Sequence, residues 1–260
     1  MTTSKIPTAF GEQLRYWRRR SGHSQLALAA EAGTTPRHVS FLETGRSRPG
    51  SDIVLRLAQV LDVPLRERNR LLVAAGLPPA YDEQYLDAVE LAPYRRAVDR
   101  MLAAHAPFPG FVFDRHFDVI AATPAGTALL ATGNERNMVR LLFDPNSAWR
   151  EMLDNWDQVA AYALALLNDD LLRFPHDDTL RQLTEHANAA AQPDPSYLGS
   201  PVAHPRLRIG RELVETISVI VRFNSPVDAF SEELRMELLH PADEHAETIL
   251  RQLAEHIPSA

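Results

Sequence analysis

Two short helical segments with almost no chain between them constrain this sequence more than any other feature. Ser24 stands where it can cap the run SQLALAAEAG, in which Leu26, Ala29 and Ala30 recur at helical spacing before Gly33 stops it. Thr35 can cap the next segment, Pro36 suits its first turn, and Val39 and Leu42 form an inward stripe that ends at Gly45. The connection is a turn of roughly three residues, so the pair reads as a helix-turn-helix unit. A helix carrying Leu14, Tyr16 and Trp17 precedes it and ends near Ser21 and Gly22. The runs SDIVLRLAQVLDV and PLRERNRLLVAAG follow as two more amphipathic helices, which predicts an all-α domain of five helices.

Charge separates this part of the chain from the rest. Residues 1–79 carry twelve Lys and Arg against six Asp and Glu, a net of +6; the remainder carries fifteen against twenty-eight, −13, within a total of −7. A positive unit joined to a negative one fits a chain of which only the first part meets a polyanion. At 260 residues, 45% of them hydrophobic, the chain can build two ordinary cores. No apolar run reaches the about 18 residues of a membrane span, and the N-terminus lacks a signal peptide's apolar core, so a cytoplasmic protein without a membrane partner is expected. The absence of cysteine excludes disulfides and thiol chemistry.

The prolines of GLPPAYDEQY end the fifth helix, giving an expected division into a helix-turn-helix domain at 1–75, a linker at 76–90 and a second domain at 91–260. That second domain opens with the amphipathic helix LAPYRRAVDRMLAAH and then changes period. Phe111 and Phe113 alternate with outward positions, a turn falls at Asp114 to His116, and Phe117 and Val119 resume the alternation, which predicts a β-hairpin. Helical runs follow, the longest with Trp156, Val159, Ala163, Leu166, Leu167 and Leu171 on one stripe. Three closing strands place Leu213, Ile217, Val219, Val221 and Phe223 on one face and Leu234, Met236 and Leu238 on one face. The expected architecture is α+β, an antiparallel sheet with its helices on one side.

Both halves resemble known families. Residues 15–49, with SQLALAAEAG and VSFLETGRSRP, followed by VLRLAQVLDVP, resemble the helix-turn-helix domain of phage-repressor-like regulators of the xenobiotic response element type. The resemblance implies a double-stranded DNA operator, with the third helix in the major groove. It places Thr35, Pro36, Arg37, His38 and Phe41 at base edges, Arg37 being able to fork onto guanine O6 and N7. Ser24, Gln25, Arg46, Ser47 and Arg48 fall at backbone phosphates. Phe41 either touches a thymine methyl or packs on its own domain. Arg18 and Glu43 match a structural pair of the family, and Pro36 departs from the polar base-reading residue common there. The second half, through PGFVFDRHFDVIAAT, LLFDPNSAW and FNSPVDAFSEELRMELLHPAD, resembles the PAS-like ligand-binding domain of MmyB-like transcription regulators. That resemblance implies a small, apolar, fatty-acid-like ligand between sheet and helices, and a homodimer. Phe111, Phe113, Trp156, Tyr162, Val219 and Met236 are the expected lining; Arg140 and Arg173 would meet a ligand carboxylate. Thr123 and Pro124 stand where the family commonly has Asn after the second strand.

Enzyme chemistry finds little support. Among 11 glycines there is no G-x-G-x-x-G, no phosphate loop and no G-x-S-x-G elbow. His240, Asp243 and His245 in HPADEHAE do not share a helix face, so the run reads as a helix N-terminus, with no metal and no cofactor expected. The expected function is sequence-specific DNA-binding transcriptional regulation without catalysis. The alternative is a ligand carrier or enzyme with a fused helical domain and no specific DNA target.

Overall fold

The computed structural model describes residues 9–81, 91–130, 135–190, 204–223 and 229–255. They divide into two compact units. The first is built from α1 (Ala9–Arg20), α2 (Gln25–Glu31), α3 (Pro36–Glu43), α4 (Ser51–Val60) and α5 (Leu65–Ala74). Phe10, Leu14, Trp17, Leu28, Val39, Leu42, Leu57 and Leu72 form its core. Ser24 caps α2 by accepting from the Ala27 amide at 3.0 Å, and Thr35 caps α3 by accepting from the His38 amide at 3.1 Å. The stripe expected on α2 is corrected: Leu28, Ala29 and Ala32 face the core, whereas Leu26 is 68% exposed and Ala30 is exposed. A two-turn helix can offer apolar residues on two faces, and packing against α3 and α4 selects one of them. The backbones of α1 and α3 meet directly, since a Cβ on Gly11 would stand 2.6 Å from the Glu43 carbonyl oxygen.

The chain after α5 is strapped back onto it. Asn69 Oδ1 accepts from the amides of Ala80 and Tyr81 at 2.9 and 3.0 Å, and its Nδ2 donates to the Tyr81 carbonyl at 2.8 Å. The first part of the expected linker is thus held to the helical unit; residues 82–90 lie outside the described residues.

The second unit begins with α6 (Ala92–His105) and the hairpin β1 (Gly110–Phe113) and β2 (Val119–Ala122). Helices α7 (Pro124–Leu130), α8 (Met138–Phe143), α9 (Ala148–Met152), α10 (Trp156–Arg173) and α11 (Asp178–Ala190) follow. The chain closes with β3 (Arg206–Ile209), β4 (Glu212–Arg222), α12 (Ala229–Glu233), β5 (Arg235–Pro241) and α13 (Glu244–Glu255). The five strands form one antiparallel sheet in the order β2-β1-β5-β4-β3. Phe117 belongs to the hairpin turn rather than to β2, at a left-handed φ of 64°. Among the described residues no helix is long and apolar enough to cross a membrane.

The sheet is covered on both faces, which corrects the one-sided arrangement. On one face Phe111, Phe113, Val214 and Leu239 pack with residues of α7 to α11 and α13. On the other, Val112, Leu234 and Met236 pack against Val98 and Leu102 of α6. Strands covered twice are apolar at successive positions, and every residue of β1 is buried. Thr123, 1% exposed, ties the sheet to α7: its Oγ1 accepts from the Gly110 and Gly126 amides at 3.0 and 3.1 Å and donates to the Phe108 carbonyl at 2.9 Å.

Candidate DNA interface and ligand cavity

Helix α3 owes its placement to a buried carboxylate. Glu43, 1% exposed at the end of the helix, receives Arg18 Nε at 2.5 Å on Oε1 and Arg18 Nη2 at 3.1 Å on Oε2. Gln25 Nε2 donates to Oε2 at 2.9 Å and Arg15 Nε at 3.4 Å. Burial by itself would raise the pKa of Glu43; hydrogen bonds from Arg18 and Gln25, the Arg18 charge and Arg15 outweigh it and hold the carboxyl below its ordinary value. One acidic side chain therefore joins α1, α2 and α3. Gln25, expected at a phosphate, is positioned by this network and keeps one amide hydrogen for an outside acceptor.

The exposed side of α3 carries the other residues. Thr35, Pro36 and Arg37 are exposed, and His38 is half-buried with Nδ1 2.9 Å from Thr34 Oγ1. Two guanidinium groups lie over the Phe41 ring, that of Arg37 5.1 Å and that of Arg46 5.8 Å from its centroid. Phe41 thus serves as a platform that orients both arginines. Arg48 is exposed, Ser47 half-buried, and Ser24 exposed at its cap. The structure places these ten residues on α3, the start of α2 and the loop that follows α3.

In the second unit a cavity of about 90 Å³ lies between the sheet and α8, α9 and α10. Phe111, Phe113 and Tyr162 line it, as does Trp149. Three expected lining residues stand elsewhere. Met236 and Val219 fall on the opposite face of the sheet: Met236 is buried with α6 and Val219 is 41% exposed. Trp156 packs edge-on against Phe143 at 6.1 Å and donates its Nε1 to the Leu142 carbonyl at 2.8 Å. Arg140 is an open surface cation 3.9 Å from Glu135, and Arg173 lies over the Phe174 ring; neither lines the cavity.

Two charged residues absent from the sequence reading do line it, Arg235 and Glu237 on β5. Both alternate with Leu234, Met236 and Leu238, so they occupy the cavity face because the apolar trio faces α6. Arg235, 6% exposed, pairs with the fully buried Asp170 of α10 at 2.5 Å and lies 5.1 Å over the Phe117 ring. Glu237 Oε1 accepts from Ser218 Oγ at 2.5 Å, and burial pushes the carboxyl up in pKa beyond what that hydrogen bond offsets. The signal was present in LRMELL: two opposite charges at period two, flanked on the strand by apolar residues.

The HPADEHAE run leads from the end of β5 into α13, where Asp243 Oδ1 accepts from the Ala246 amide at 2.7 Å. Among the described residues no cluster of His, Asp and Glu is arranged to hold a metal.

Comparison with protein families fits both units. Residues 94–253 match the MmyB-like transcription regulator ligand binding domain. The chain belongs to the MmyB-like transcription regulators. Residues 14–68 of this MmyB-like regulator match a helix-turn-helix domain. It is a DNA-binding transcription regulator with a ligand-binding domain. No curated protein matches the chain.

Proposed function

We propose that this MmyB-like regulator is a homodimer that reads a palindromic operator with α3 and adjusts its grip when the second unit takes up an apolar, fatty-acid-like molecule. Arg37 reads a guanine from the major groove, with Thr35, Pro36, His38 and Phe41 along the same base edges. Ser24, Gln25, Arg46, Ser47 and Arg48 hold the phosphates. The observation that supports this reading is the stacking of Arg37 and Arg46 on one aromatic ring beside a helix fixed by the buried Glu43 network. A cation restrained in this way loses less side-chain entropy on docking.

Chemistry of the lining supports the apolar ligand, since the cavity is walled mostly by Phe, Leu, Val, Met and Tyr. Its volume of about 90 Å³ is far below the roughly 300 to 1,000 Å³ of pockets for drug-sized molecules, so a long chain must part the helices to enter. Binding coupled to such a movement is what lets a ligand shift one conformation against another.

Footprinting and competition titrations test the DNA assignment. Arg37→Ala should cost about 1 to 3 kcal/mol on the operator and relax preference at one base pair, whereas Arg48→Ala should weaken all sequences alike and lower the salt slope by about one unit. Identical effects of both substitutions on every sequence would refute the division into base readers and phosphate anchors.

A further inference from the structure

The arginines of the second unit divide into those engaged within it and those left open. Residues 91–260 carry fifteen Arg, no Lys and twenty-four Asp and Glu, a net of −9. Arg115, Arg206, Arg208, Arg235 and Arg251 meet carboxylates, and Arg150 lies over the Trp156 ring. Arg95, Arg96 and Arg100, all on α6 and all exposed, form no ion pair and stack on no ring among the described residues. Helical spacing puts Arg96 and Arg100 one turn apart, on the side opposite Val98 and Leu102, which pack on the sheet; Arg95 stands at the flank. Asp99 is the one acidic residue of α6, and among the described residues it pairs with none of the three. Ala97, Ala103 and Ala104, also exposed, leave the guanidinium groups standing clear of the helix surface.

This face adds nothing to the helix that carries it. Like charges four residues apart, as at Arg96 and Arg100, destabilise a helix. Arg95 and Arg96 also stand towards its N-terminal end, where the dipole disfavours cations. A polyanion turns that repulsion into attraction, and the partner of a DNA-binding regulator is one. Ten residues of chain lead from Tyr81, strapped to α5, to Leu91 at the start of α6; fully extended they span at most about 36 Å, close to one turn of duplex. An acidic module tethered so near a duplex is repelled by it except through a cationic face.

We propose that Arg95, Arg96 and Arg100 of α6 hold backbone phosphates of the duplex beside the operator, so that the second unit adds a sequence-independent grip to the readout by α3. This rests on the operator binding proposed above and extends it outward from the protected half-sites. Phosphate contacts carry no base information, so the flanking DNA can have any sequence. Removing them lowers affinity and salt dependence and leaves base preference untouched.

The probes are duplexes enriched from a random library by the full-length wild-type protein, either trimmed to the protected bases or extended at each end by about one and a half helical turns of unrelated sequence. Fluorescence anisotropy should show wild type binding the extended duplex at least about tenfold tighter at low salt, with a salt slope steeper by about two units or more, since each phosphate contact adds about 0.9. Arg95→Gln, Arg96→Gln and Arg100→Gln combined should bring the two affinities within about twofold and the slopes within about half a unit, while affinity for the trimmed duplex stays within about twofold of wild type. The three changes to Lys should keep most of the advantage, because a phosphate accepts a point charge where a bidentate or stacked contact does not. Thermal melting of each variant establishes that it is folded. Equal binding of both duplexes by wild type, a Gln variant that keeps the advantage, or one that loses both duplexes alike would overturn the phosphate grip and leave the operator reading standing. A retained advantage together with a changed mass in sedimentation would assign this face to a contact between protein chains. Failure of the wild type to enrich any duplex would remove the operator reading, and the grip with it.

Discussion

Replacing Arg18 by Met tests whether the buried Glu43 network sets the position of α3. Arg18 is 12% exposed in its side chain and makes two bonds to Glu43, at 2.5 and 3.1 Å, with a third from Nη1 to the His23 carbonyl at 2.9 Å. Glu43 is 1% exposed, so the variant strands a carboxylate that water cannot reach. Removing one partner of such a pair costs about 3 to 5 kcal/mol. Gln25 at 2.9 Å and Arg15 at 3.4 Å still serve Glu43, which argues for the lower end, about 3 kcal/mol. Hydrogen exchange read by mass spectrometry on peptides covering α1 and α3 should speed up roughly a hundredfold, since each factor of ten corresponds to about 1.4 kcal/mol. The double variant Arg18→Met with Glu43→Met removes both charges and should recover most of the loss. Because Glu43 titrates below its ordinary value, its contribution is complete above about pH 4.5 and disappears as pH falls through the lower folded value; the Arg18 variant should lose much of that acid dependence. Exchange within about threefold of wild type, or a double variant as unstable as the single, would show that α3 is held by apolar packing alone.

Thr123→Val keeps the shape of the side chain but leaves the Gly110 and Gly126 amides and the Phe108 carbonyl without a partner; calorimetric melting should show a loss of about 2 to 4 kcal/mol in the second unit. His105 is buried with Nε2 3.0 Å from the Pro109 carbonyl, and burial, aided by the nearby His240, lowers its pKa below 6.5. Its neutral form stabilises the fold above pH 6.5, and that stability drains away as pH falls through the lower folded value, so unfolding titrations of wild type should decline below pH 6.5 more steeply than those of His105→Gln.

The first unit was legible because its signals are local. Ser24 and Thr35 are caps whose bonding partners lie three residues away, and the structure contains both bonds. The face of α2 was not, since Leu26 and Leu28 are equally apolar and only contact with α3 and α4 selects Leu28. The second unit repeats this on a larger scale. Period two in β5 was readable, and Leu234, Met236 and Leu238 do share a face. Which side of the sheet that face meets was decided by α6, far away in sequence. Met236 therefore left the expected lining, and Arg235 and Glu237 entered it.

Sequence by itself determined the alternation of elements, the caps, the split of charge between the halves and the two family resemblances, all of which depend on spacing along the chain or composition within a segment. Tertiary structure alone decided that both faces of the sheet are covered and that Phe41 carries Arg37 and Arg46. It also set two opposite charges of one strand into an apolar cavity. A strand's parity is written in its residues, but the side on which the core lies is a property of what packs against it.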